Sequence, residues 1–111
     1  MLLPPRLALA GICMIVRIAQ FAPKPGQEET VLQMLRSHIA FLAGSPGCRR
    51  AHLGTPIHGQ HLLLYSEWNS EADVERLEGS LRSNPQASSV FFGLLGRLST
   101  PPLIARYEAA E

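Results

Sequence analysis

His38 is the residue whose type and position most demand a chemical account. On a helical wheel it shares one line with Val31, Leu35 and Leu42, flanked by Leu32, Met34, Ile39 and Phe41. Its imidazole would therefore face whatever layer that helix packs against. Two roles suit a ring in such a setting. A neutral histidine in an apolar pocket can take a proton from a bound substrate as a general base. A core histidine hydrogen-bonded to backbone or water is the alternative. Tyr65, Trp68 and Tyr107 are the candidates for a substrate pocket. Trp68 can stack on a planar ligand or anchor a strand-to-helix corner, and the tyrosines can offer hydroxyls to a ligand or stay sheet residues with a wet tip.

Other spacings carry less. His58 and His61 stand in a His-x-x-His arrangement near His52, but no carboxylate or thiolate accompanies them and a turn intervenes. A closed zinc site wants four ligands in a defined cage, so these histidines read as a solvated hairpin and no metal site is expected. Cys48 follows Gly47 and precedes Arg49 and Arg50. Those cations could activate the thiol, or the cysteine is a small buried hydrophobe. There is no glycine-rich phosphate loop, nucleophile elbow or carboxylate pair, so nucleotide-binding, hydrolase and glycosidase readings lack support.

The elements that would position these residues follow from composition and periodicity. The chain has 111 residues, 46% hydrophobic and 17% charged, enough for one domain with a real core and too apolar for disorder. Ten Lys plus Arg face nine Asp plus Glu, a formal charge of +1, which offers nothing to nucleic acid or an anionic membrane. The longest apolar stretch, Leu7 to Val16, falls short of the roughly 20 residues of a membrane span. Two cysteines cannot make the staples of a small secreted domain. A cytoplasmic protein is expected, with Met14 a candidate start and residues 1–13 a dispensable extension.

Ile15, Val16, Ile18 and Phe21 read as a first strand, ended by Ala22-Pro23-Lys24-Pro25-Gly26. Gln27 to Ala43 reads as a helix whose apolar stripe can bury against a sheet, stopped by Gly44-Ser45-Pro46-Gly47. Cys48 to Thr55 and Gln60 to Trp68 read as strands joined by a turn at Pro56-Ile57-His58-Gly59. Ser70 and Asp73 have the form of a capping box ahead of Val74, Leu77 and Leu81. Asn84-Pro85 restarts a helix bearing Val90, Phe91, Leu94, Leu95 and Leu98. After Thr100-Pro101-Pro102, Leu103 to Glu108 reads as a last strand.

This order gives an α+β, ferredoxin-like split βαβ fold, with helices on one face of a four-stranded antiparallel sheet in order 4-1-3-2. Cys13 and Cys48 would then lie too far apart to bridge, leaving two free thiols. Leu62, Leu63 and Leu64 put leucine on both faces, so a second sheet is expected to cover the bare one in a homodimer.

Four short motifs resemble the antibiotic biosynthesis monooxygenase (ABM) domain. They are Lys24-Pro25-Gly26-Gln27-Glu28-Glu29, Ser45-Pro46-Gly47-Cys48, Glu67-Trp68-Asn69-Ser70-Glu71-Ala72 and Tyr107-Glu108, and the likeness spans Met14 to Glu108. It implies a dimeric α+β barrel of two facing sheets. It also implies an oxygenase for a small aromatic (phenol, quinol or anthrone-like) that needs neither metal nor flavin, since the substrate anion itself reduces oxygen. The chain departs from the family where histidines often follow the tryptophan: it offers Leu77 and Arg82 or Gln86, in a segment about one helical turn longer. Ala19 or Gln20 stands where haem-degrading relatives have asparagine, and Leu77 at their second site, so that branch is disfavoured. A non-catalytic homodimer binding a small hydrophobic ligand, or a proton-transfer enzyme on the same scaffold, are the alternatives.

Overall fold

Burial alternates strictly along Ile15–Phe21: positions 15, 17, 19 and 21 are buried, while 16, 18 and 20 are half-buried. Such period-two burial marks a strand with one covered face. A computed structural model describes residues 14–109. Its elements run β1 (Ile15–Phe21), α1 (Glu28–Ala43), β2 (Cys48–Gly54), β3 (Leu62–Trp68), α2 (Glu71–Ser83), α3 (Pro85–Leu95) and β4 (Leu103–Glu108). The four strands form one antiparallel sheet in the order β2-β3-β1-β4, the expected ferredoxin-like order counted from the other edge. Residues 1–13, and with them the Cys13 half of the thiol expectation, lie outside the described residues.

Local chemistry sets the element ends. The Ser70 hydroxyl accepts from the Asp73 amide at 3.2 Å and donates to its carboxylate at 2.9 Å, capping α2. Asn84 ends α2 with its amide on the Ser80 carbonyl, and starts α3 by accepting from the amides of Gln86 and Ala87. Pro85 follows at the first helical position, where no amide is needed. The second helical region is therefore two helices hinged at one residue. Gly47 turns the chain from α1 into β2 with φ +86°, and the Asp73 side chain occupies the space a Cβ would take there. Only glycine meets both demands.

All three helices lie on the face of the sheet that carries Ile15, Ala19 and Phe21. Val31, Leu35 and Leu42 of α1 are fully buried against it, with Leu64 and Trp68 of β3 and Val74 of α2. Each such side chain is worth about 1.5–3 kcal/mol of burial. Trp68 donates its indole N–H to the Ser66 hydroxyl at 2.8 Å, so the one polar atom it brings inside is satisfied. Among the described residues no helix covers the other face, where Leu63, Tyr65 and Glu67 alternate with the buried positions of β3.

Candidate functional site

Arg17 breaks the apolar pattern of β1 at an inward position and is 4% exposed. A buried guanidinium requires a partner, and α2 supplies it: Arg17 Nε lies 3.1 Å from one Glu78 carboxylate oxygen. Arg106, the register partner of Arg17 on β4, donates from Nη2 to the other oxygen at 2.6 Å. One carboxylate thus holds two like charges on adjacent strands. Burial pushes the Glu78 carboxyl up, but the hydrogen bonds from Arg106 and Arg17 outweigh it, and the net shift is downward. Arg106 is raised, chiefly through its bond to Glu78.

The three charges line one wall of an open cleft of about 670 Å³ between β4, α2 and α3. The facing surface is apolar, with Leu81, Phe91, Phe92 and Ile104. Arg17, Leu81, Phe91 and Ile104 are also walls of a narrow neck of about 20 Å³ that reaches His38 beneath α3. That volume admits about one water. Beyond it, His38 and Val90 border a third cavity of about 180 Å³, where Ser37, Asn84 and Gln86 add polar groups.

His38 therefore stands between the neck and the third cavity. Its ring stacks on Phe41 with centroids 5.7 Å apart. Among the described residues no protein group hydrogen-bonds its nitrogens. The backbone partner that would make it an ordinary core histidine is not there. Burial, and secondarily the Arg17 charge, lower its pKa from 6.5 to about 4, so the ring is neutral at neutral pH with an open acceptor nitrogen.

The other candidates are not brought to this cleft. Trp68 is 0% exposed in the core, at the end of β3 between Ile15 of β1 and Cys48 of β2, and lines neither the cleft, the neck nor the third cavity. Tyr65 and Tyr107 lie on the open face, across the sheet from His38. Tyr65 donates to Glu67 at 2.6 Å, Glu67 pairs with Arg50 at 3.2 Å, and the His52 ring lies beside Tyr65. The bond to Glu67, then burial, raises the Tyr65 pKa. Cys48 is not activated either. Arg49 is drawn to Asn69 and Arg50 to Glu67, and burial pushes the thiol up. Among the described residues no group of three His, Cys, Asp or Glu gathers to hold a metal, and no helix is long and apolar enough to cross a membrane.

Arg17, Glu78 and Arg106 are the site residues that reading the sequence missed. The signal was present in part: Arg17 occupies the same parity as Ile15, Ala19 and Phe21 on a strand whose other parity is half-buried. Its partners come from positions 78 and 106, and nothing local announces them. Of the three positions where the chain departs from the family pattern, Leu77 is buried, Arg82 lines the cleft and Gln86 the third cavity.

A family model described as antibiotic biosynthesis monooxygenase matches residues 14–82. The chain belongs to the ABM family. The match runs from β1 to the end of α2 and takes in Arg17, His38, Glu78 and Arg82. Solved structures extend the likeness over α3 and β4. PA3566 from Pseudomonas aeruginosa superposes with a TM-score of 0.76 at 19% identity, covering 91% of this chain and 98% of its own. Rv0793 from Mycobacterium tuberculosis gives 0.75 at 19%, covering 88% and 96%. A variant of SnoaB, a cofactor-independent oxygenase from Streptomyces nogalater, gives 0.73 at 14%, covering 88% and 94%. At such identities the ABM likeness is one of fold. No curated protein matches the sequence.

Proposed function

We propose that this ABM chain is a cofactor-independent monooxygenase for a small phenol, quinol or anthrone-like substrate, bound in the 670 Å³ cleft with His38 as proton acceptor. The observation that carries the reading is the neutral imidazole, without a hydrogen-bond partner among the described residues, at the end of a neck that shares four walls with the cleft. The substrate hydroxyl points into the neck, directly or through one water, and passes its proton to His38. Arg17 stands at the same junction and stabilises the oxyanion left behind. With a pKa near 4 the imidazole is a weak base, below the ideal for holding a proton at neutral pH. It acts as a relay, handing the proton on through the polar third cavity.

The substrate anion then reduces oxygen. For a phenol becoming a quinone, one oxygen atom of O₂ enters the ring carbon and the other leaves as water, so O₂ is the only oxidant required. Phe91, Phe92 and Leu81 keep the reacting ring in an apolar setting. The open sheet face, where Leu103 and Tyr107 are exposed, is covered by a second copy in a cytoplasmic homodimer, the dimeric α+β barrel. The fold shared with SnoaB supports this reading.

Oxygen uptake with a panel of quinols and anthrones tests it. Turnover by the native chain should fall about 10²–10⁴-fold in His38→Leu, the usual loss of a general acid–base group, while the melting temperature holds or rises, since no hydrogen-bond partner is orphaned. Unchanged turnover in a folded His38→Leu protein would end the role given to His38, and no uptake on any substrate would favour a ligand-binding protein.

A further inference from the structure

Charge in the cleft is unevenly spent. Its walls carry three guanidinium groups, Arg17, Arg82 and Arg106, against one carboxylate, Glu78. Glu78 engages both Arg17 and Arg106, and Arg106 is shared further with Glu71 at 3.4 Å and Glu75 at 3.8 Å. Arg82 alone among these is without an anionic partner among the described residues. It is exposed, in the last turn of α2, with its guanidinium near Gly79 one turn back, a residue with no side chain to compete for that space. Across the cleft stand the rings of Phe91 and Phe92 and the hydroxyl-bearing Ser88 of α3.

A free planar guanidinium at the rim of an apolar slot fits one chemical class of ligand well. Its fork of donors matches a carboxylate bidentately, and the aromatic walls take a flat apolar body. We propose that the cleft selects aromatic substrates bearing a carboxylate, and that Arg82 is the specificity residue that reads it. This rests on the cleft being the substrate site of the proposed function, but it concerns binding and not oxygen chemistry. The carboxylate sits at the rim against Arg82, which leaves the reacting hydroxyl at the inner end, by the neck and Arg17. One ligand is thereby held at both ends, in a single orientation. A role for Arg82 in the helix dipole alone would give no such selectivity.

The test compares two fluorescent probes of nearly equal shape, anthracene-9-carboxylate and 9-anthracenemethanol, titrated into the full chain. The carboxylate should bind about tenfold more tightly, the scale of a charge-assisted hydrogen bond partly open to water. Arg82→Gln should bring the two to parity by weakening the carboxylate only, and Arg82→Lys should restore part of the preference. Equal affinities in the native chain would overturn the proposal. So would a preference that survives Arg82→Gln, or failure of both probes to bind. Carboxylate selectivity without oxygen uptake on any substrate would leave this inference standing and remove the oxygenase reading; uptake indifferent to a carboxylate would do the reverse.

Discussion

The two faces of the sheet are made by the same four strands and differ in what holds them. On the helix side, Ala19, Leu64 and Trp68 are no more than 2% exposed, and the two strand arginines, Arg17 and Arg106, are tied together through Glu78. On the open side, Leu103 is 63% and Tyr107 56% exposed on β4, and the Tyr65–Glu67–Arg50 chain lies across β1 from them, on β3 and β2. Apolar side chains on the first face are fixed by neighbours above them, whereas those on the second have only the sheet beneath. Residue type therefore says little about role here: an arginine is buried at position 17 and a leucine exposed at 103 because of the layer each faces.

The largest effect should come from the covered face. Trp68→Ala should lower stability by about 3–5 kcal/mol, the usual cost of emptying a packed aromatic site, read from chemical denaturation. A loss under about 1 kcal/mol would mean that the helices do not hold this face shut.

Acid should separate the faces next. The unfolded chain binds a proton at His38 near pH 6.5, but the folded chain resists it until about 4. His38 therefore favours the folded state less and less as pH falls from about 6.5 to 4, by up to about 3 kcal/mol. Glu78, whose folded pKa is lowered from 4.5, stabilises above that value and loses its contribution as pH falls further. Denaturation midpoints measured across this range should fall, and His38→Leu should flatten the slope above pH 4.5. An unaltered slope in that variant would place the acid sensitivity elsewhere.

The smallest effect on folding should come from the open face. Leu103→Lys with Tyr107→Lys should change stability by about 0.5 kcal/mol or less, as exposed substitutions do, yet light scattering should show dimers giving way to monomers. Association unaffected by both charges would mean that a second copy does not seat there.

Much of the fold was legible in local signals. The Ser70–Asp73 cap, the Asn84-Pro85 restart and the proline breaks before α1 and β4 act over a few residues, so their chemistry is written in adjacent letters. His38 could be placed on the inner stripe of α1 because helical periodicity alone assigns a face. Tyr65, Trp68 and Tyr107 could not be sorted from sequence. Strand parity divides a sheet into two faces, and Tyr65 and Trp68, three residues apart on β3, take opposite ones. Which face receives the helices is settled only when α1, α2 and α3 dock.

By itself, then, the sequence determined the elements, their order and the antiparallel 4-1-3-2 sheet, because hydrophobic period and turn chemistry are short-range properties. Tertiary structure alone decided the site. The Arg17–Glu78 pair spans 61 positions and the Glu78–Arg106 pair 28, and the neck at His38 exists only where β1, α1 and α3 meet. Coulomb attraction and burial act through space, and a chain reveals who will share that space only after it has folded.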